Sequence, residues 1–328
     1  MDIDTQRKMA MILRVLDESG GALGSPRIAR ELGMRGIDLK PRMIRYYLDQ
    51  MDELGFTENL GRRGRQLTAR GRRELESAVA VDRVGFVSAR VDELAYRITF
   101  DPATLSGSVI TNVSLLPARD LARAKNLARQ VIDAGLGMGR HMVTARSGRA
   151  LAGHKVPKGR AGVATICSVT LNGAMYSRGI PMTSVFGGLL EMENGHPTRF
   201  TQIIRYDGTT IDPIEIFIKG GMTRVGDVAR TGTGTVGAGF REIPAGALSA
   251  AQELIGELNK AGVGSVLAVG LPGKSLLDVP VSQGRVGIVV PAGLNPVAAV
   301  EEAGIPTENH ALAALTDFAK LSDLAPSA

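Results

Sequence analysis

The chain has 328 residues, 44% of them hydrophobic and 4% aromatic, with 41 glycines, a net charge of +6 and a pI near 9.6. This is enough for two or three globular domains with real cores, and the basic balance allows a nucleic-acid partner without proving one. A lone Cys167 excludes an internal disulfide, and no apolar run reaches the ~20 residues of a membrane span. The polar, acidic opening MDIDTQRK offers no signal-peptide core, so a cytoplasmic location is expected.

Met9, Ile12, Leu13 and Leu16 recur at helical spacing and predict a first helix over about 5–18, stopped by Gly20-Gly21. Ser25-Pro26 reads as an N-cap with proline behind it, opening a short second helix that runs to Gly33. Pro41 opens a third helix, closed by Gly55, with Ile44, Tyr47, Leu48, Met51 and Leu54 as its apolar stripe. Arg42, Arg45, Tyr46 and Asp49 fall on the opposite face, and Lys40 lies just ahead of the helix. A strand over 56–59, a turn at 61–64 and a returning strand at 65–67 follow, before Thr68 caps a fourth helix over about 69–79. This is the order of a winged helix-turn-helix. Long donors on the third helix suit base edges in a major groove, and the wing arginines Arg62, Arg63 and Arg65 suit phosphates or the minor groove. The expected DNA-binding set is therefore Lys40, Arg42, Arg45, Tyr46, Arg62, Arg63 and Arg65, in a domain spanning 1–82.

A strand is expected to start at Arg83–Val87, which opens the body, 83–328. The stretch 112–135 recurs 127 positions later as 239–262: Pro117 aligns with Pro244, Leu121 with Leu248, Leu127 with Leu254, and Ala134-Gly135 with Ala261-Gly262. Leu171-Asn172 then echoes Leu294-Asn295, and Gly179-Ile180-Pro181 echoes Gly304-Ile305-Pro306. In the first copy strands are expected over 107–115, 140–145, 161–167 and from 180, with helices over 118–134 and 170–178. The second copy gives 234–241, 264–269 and 285–290 as strands, and 245–261 and 294–303 as helices. The fold class expected is α+β: a winged helix followed by an internally duplicated two-layer sandwich of ferredoxin-like type, β-α-β-β-α-β, with repeats near 107–181 and 234–306. The TGTGTV run from Thr231 precedes a strand, so it is not a dinucleotide-binding loop. Between the repeats, Ile214, Ile216 and Ile218 alternate with Glu215 and Phe217, which suits a strand, and Asp212-Pro213 reads as a capped turn.

A junction between duplicated halves is a natural ligand cleft. Cys167 and Ser168 stand at a strand-to-helix turn whose N–H groups suit a carboxylate, Thr170 adds a hydroxyl, and Arg241 offers a guanidinium fork. Gly187, Gly188 and Gly221 would let backbone N–H groups come close. The bland alternatives are a buried thiol for Cys167 and a salt bridge to Glu242 or Glu215 for Arg241. His141, His154, His196 and His310 have no ligand spacing, so no metal site is expected. No nucleophile–base set is visible, so an enzyme is not expected.

The run GIDLKPRMIRYYLDQMDELGFTENLGRRGRQLTARG is similar to the winged-helix head of the archaeal NrpR family of nitrogen-regulation repressors. The body resembles that family's regulatory domain in ICSVTLNG at 166–173, GIP at 179–181, FGG at 186–188, YDGTTIDPIE at 206–215, GMT at 221–223, REIPA at 241–245 and GLNP at 293–296. The resemblance implies a repressor of nitrogen-assimilation genes whose inducer is 2-oxoglutarate, with no bound cofactor. Its best-known members carry two regulatory domains, and this sequence carries the pattern once. The effector set expected is Cys167, Ser168, Thr170, Asn172, Gly187, Gly188, Thr223 and Arg241. The partners expected are double-stranded DNA with an inverted-repeat operator, a small-molecule effector and at least a second copy of the chain. A sensor of another small anion, an enzyme with a DNA-binding head and an architectural DNA protein are the competing readings.

Overall fold

A computed structural model describes residues 3–34, 37–82 and 86–323, and the chain divides into two compact units, Met1–Val84 and Gly85–Ala328. The first unit holds α1 (Ile3–Ser19), α2 (Ser25–Gly33), α3 (Pro41–Glu53), β1 (Thr57–Asn59), β2 (Arg65–Leu67) and α4 (Ala69–Asp82). The apolar stripes meet as their spacing requires: Ile12, Leu13 and Leu16 pack with Ile28, Leu32, Ile44, Leu48 and Met51. α2 begins one residue earlier than its composition suggests, with Gly24 at the N-cap, so the Ser25 side chain does not cap it. The wing tip is a 3₁₀ turn, Gly61–Arg63. Gly64 takes φ +96°, and any side chain there would strike the Leu23 carbonyl, to which Arg65 N–H donates. Thr68 caps α4, its hydroxyl accepting from Gly71 N–H at 3.0 Å.

In the second unit the elements are α5 (Phe86–Tyr96), β3 (Ser108–Pro117), α6 (Leu121–Asp133), β4 (His141–Arg146), the hairpin β5 (Ala150–Leu151) and β6 (His154–Lys155), β7 (Arg160–Ile166), α7 (Val169–Ser177), β8 (Thr183–Glu193) and β9 (His196–Arg205). They continue with α8 (Pro213–Lys219), α9 (Val225–Thr231), β10 (Gly234–Pro244), α10 (Leu248–Lys260), β11 (Ala268–Val269), β12 (Arg285–Pro291), α11 (Asn295–Glu302), β13 (Glu308–Asp317) and β14 (Ser322–Asp323). Two sequence expectations are corrected. Phe86 and Val87 open a helix rather than a strand, because Val87, Val91, Leu94 and Ala95 form a buried stripe at helical spacing; Arg83–Gly85 lie outside the described residues. The Ile214–Ile218 stretch is likewise helical. Asp212 accepts from Ile214 N–H at 2.9 Å, Pro213 sits in the first turn, and Ile214, Phe217 and Ile218 make the inward stripe while Ile216 is exposed.

Among the described residues the body carries two five-stranded antiparallel sheets, ordered β13-β3-β7-β4-β14 and β9-β8-β10-β12-β11. In both, the strand that opens a repeat (β3 or β10) is flanked on one side by a strand of its own repeat (β7 or β12). On the other side it meets the strand that closes the other repeat (β13 or β8). The helices follow: α11 packs with α6 over the first sheet through Val297, Val300, Ala124 and Ala128, and α7 joins the cluster of α10 and the second sheet through Leu171, Leu254, Ile243 and Ile288. Local geometry repeats as well. Pro117 and Pro244 have φ −60° and −59° and each leads into a 3₁₀ turn, while Gly135 and Gly262, and Gly179 and Gly304, all take positive φ behind a helix.

Candidate functional site

On α3, Ile44, Tyr47, Leu48 and Met51 are buried, which turns Arg42, Arg45 and Tyr46 to solvent, with Tyr46 55% exposed. Lys40 is exposed at the N-cap and lies 3.7 Å from Asp38. Arg62 and Arg63 are exposed on the wing turn. Arg65 is placed differently from the other wing arginines: its guanidinium pairs with Asp49 and, at 3.1 Å, with Asp52, so it ties the wing to α3 rather than standing free. Six of the seven residues expected to meet DNA are thus exposed, on α3, at its N-cap or on the wing turn.

Among the described residues Arg241 is the largest fully buried side chain, at 0% exposure. It sits on β10, on the face with Gly239 and Ile243, and points at α7. Its Nε–H donates to Asn172 Oδ1 at 2.8 Å and its Nη2 to Ser168 Oγ at 2.9 Å. Asn172 is held in that orientation because its Nδ2 donates to Ser184 Oγ at 3.0 Å. Nη1 makes no hydrogen bond of good geometry, the Tyr206 hydroxyl lies beside the guanidinium, and among the described residues no carboxylate lies within ion-pair distance of it. Neither Glu242 nor Glu215 is its partner: Glu242 lies 3.7 Å from Arg285 and accepts from Ser282, and Glu215 accepts from Ala311 N–H. A buried guanidinium held only by neutral groups is costly, and an arriving anion offsets that cost.

Gly239 leaves room for this guanidinium, since a Cβ would lie 2.5 Å from Nη1 and push it from its place. Its cross-strand partner is Gly187, whose missing Cβ leaves room for the Tyr206 hydroxyl and Pro213. Tyr206 and Cys167 are buried, and Asp212 half-buried, around the same charge, and all three feel it. Burial pushes the Cys167 thiol up to about 12 and raises the Tyr206 phenol, so both are neutral. Burial also raises the Asp212 carboxyl, against the helix-cap bonds that favour its charged form.

Asp212 forms part of the lining of a 290 Å³ cavity, with Val87 and Arg90 of α5, Thr210, Ile211, Glu215, Ala311 and Leu312. Burial raises Glu215 to about 7. Leu312 takes φ +52° in a bulge of β13, and its backbone reaches Cys167. The cavity therefore borders the Arg241 cluster through Asp212 and Leu312.

Five of the eight residues expected to hold an effector gather here: Cys167, Ser168, Asn172, Gly187 and Arg241. Three do not. Thr170 is committed to β3, exchanging bonds with Ile110 N–H and C=O at 3.1 and 3.3 Å. Gly188 turns against Phe200 and Ile203, and Thr223 lines a separate groove bordered by α6, α9 and α11, with Gly221 and Arg224. Tyr206, Ser184 and Gly239 belong to the cluster without having been singled out; the one available sign was Tyr206 in the YDGTTIDPIE run.

The model of the NrpR regulatory domains NRD1 and 2 matches residues 84–323, and that of the ribonuclease R winged-helix domain matches residues 10–75. The chain is 35% identical over 327 residues to the global nitrogen regulator NrpRI of Methanosarcina mazei, covering 99% of this chain and all of that one. It is 30% identical over 310 residues to the global nitrogen regulator NrpR of Methanococcus maripaludis, covering 94% of this chain and 54% of that longer protein. A crystal structure of a nitrogen repressor-like protein from Methanococcus jannaschii superposes with a TM-score of 0.61 at 26% identity, covering 72% of this chain and 96% of that one. These relatives are named as regulators and not as enzymes, and a winged-helix head followed by an NrpR regulatory domain is the arrangement found here. The chain belongs to the NrpR family of nitrogen regulators.

Proposed function

We propose that this chain is a transcriptional repressor of nitrogen-assimilation genes: the head, 1–82, binds double-stranded DNA, and 2-oxoglutarate taken up by the body, 83–328, releases it. The observation that carries the effector reading is the fully buried Arg241, whose Nη1 makes no hydrogen bond of good geometry. A carboxylate meeting that atom would complete a fork already fixed by Asn172 and Ser168. The adjoining 290 Å³ cavity is of the size a small metabolite needs. Calorimetry with the full chain tests it: 2-oxoglutarate should bind, and Arg241→Met, which keeps bulk and removes charge, should abolish binding and leave a protein that represses permanently. Heat equal to wild type in Arg241→Met would move the site elsewhere, and no heat at millimolar 2-oxoglutarate would sink the ligand.

The exposed Lys40, Arg42, Arg45, Tyr46, Arg62 and Arg63 support DNA as the partner of the head. An inverted-repeat operator bound by a homodimer is the arrangement that winged-helix geometry favours, with half-sites ~34–36 Å apart. We also read the body as one β-α-β-β-α-β unit of ferredoxin-like type used twice, with the closing helix and strand exchanged between copies. Supporting this are the matching strand orders, the shared geometry at Pro117 and Pro244, and the equally buried Asn172 and Asn295.

A further inference from the structure

We propose that Glu215 makes effector capture proton-coupled: a dicarboxylate entering the cavity under α5 binds together with one proton from solvent, which Glu215 accepts. The inference rests on the effector reading of Arg241 and adds the condition under which that site admits a dianion.

α8 contributes Asp212 at its cap and Glu215 one turn on, and both line the cavity. α5 contributes Arg90, which already donates to Glu93 at 3.0 Å. β10 contributes Arg241 behind Asp212. The turn before α8 contributes Tyr206, and the start of α7 contributes Cys167, both neutral. β13 contributes only Ala311 and Leu312. A dianion placed here with both carboxyls charged would set four negative charges against one uncommitted guanidinium and one shared with Glu93. Like charges at such range oppose one another strongly in a partly buried site, and the cheapest relief is protonation of a carboxylate.

Geometry points to Glu215 as the acceptor rather than Asp212. Asp212 uses its carboxylate to hold the first N–H groups of α8, a bond that needs acceptor oxygens. Glu215 spends one oxygen on Ala311 N–H, and its other oxygen has no hydrogen-bond partner among the described residues. Burial already raises this carboxyl to about 7, so a further anion nearby completes the protonation at neutral pH. Binding that raises a pKa takes up a proton, and affinity then falls as pH rises above that pKa, by up to tenfold per unit for one proton.

The test is calorimetry of 2-oxoglutarate with the full chain from pH 6 to pH 8.5, in buffer pairs of different ionisation enthalpy. Wild type should take up about one proton at pH 8, lose affinity up to tenfold per unit above about pH 7, and show little uptake at pH 6. Glu215→Gln should flatten the pH profile, gain roughly tenfold in affinity at pH 8 over wild type, and give buffer-independent heat. Buffer-independent heat in wild type, or a wild-type slope kept by Glu215→Gln, overturns the proposal. Glutamate, which replaces the ketone by an amine, should compete poorly; tighter binding of glutamate without proton uptake would mean that the acidic wall recognises an ammonium, and overturns it too. Absence of 2-oxoglutarate heat at every pH defeats the Arg241 reading and this one with it, whereas binding with a flat profile defeats only proton coupling.

Discussion

Gly173 shows how closely the site is built into its surroundings. It lies on α7 one residue beyond Asn172, and a Cβ there would come 2.6 Å from Ile98 Cδ1 and 2.7 Å from the Ala95 carbonyl of α5. Gly173→Ala is therefore expected to destabilise the body by about 1–3 kcal/mol, visible as a lower midpoint in thermal or urea denaturation. An unchanged midpoint would mean that α5 yields easily. The side chains that sequence could place were those on a strand-to-helix turn, such as Ser168 and Asn172, or on a strand face fixed by alternation, such as Arg241. The contribution of Tyr206 and Asp212 was hidden because they come to Arg241 from the insert between the repeats, and only tertiary packing sets that approach. Thr170 turns away for a related reason: a hydroxyl at a helix start is as useful to a neighbouring strand edge as to a ligand, and Ile110 takes it.

At the level of elements, the head was legible almost throughout, since three apolar stripes, Pro41 and the turn glycines leave little freedom. The body was legible at most strands and helices of the two matching stretches, 107–181 and 234–306. It failed at α5 and α8, short segments whose apolar residues satisfy both a two-residue and a helical period, and there Asp212 and Pro213 decide for helix by satisfying its first turn. On the head, the distinct positions of the arginines separate their roles. Arg42→Ala and Arg45→Ala should relax base preference, each good contact being worth ~1–3 kcal/mol, and Arg62→Ala and Arg63→Ala should each lower the salt slope of binding by roughly one. Arg65→Ala should act mainly through loss of the Asp49 and Asp52 contacts, costing about 1 kcal/mol of head stability. Anisotropy titrations on operator and random duplexes over a salt series, with melting curves, distinguish these. A Arg65→Ala protein of full stability and reduced salt slope would return that residue to the DNA surface.

For the whole body, the pairing of β3 with β13 and of β10 with β8 means that loss of a late strand is felt in the sheet that an early strand opens. Removing residues 307–328 takes away β13, the neighbour of β3 from Ser108 to Leu115. Hydrogen exchange should then accelerate in β3 and much less in β10, which keeps β8 and β12. Equal loss in both sheets would mean that they melt as one unit. The same pairing also sets a timetable. The bond between Thr111 and Thr316 joins residues 205 positions apart, so on the ribosome the outer edge of β3 stands open until the closing strand emerges, ~10–40 s later at ordinary elongation rates. A newborn first half is an unfinished sheet with a free edge, open to the wrong strand from a neighbouring nascent chain. Translation speed across the second repeat should therefore govern how much of this protein reaches its native form.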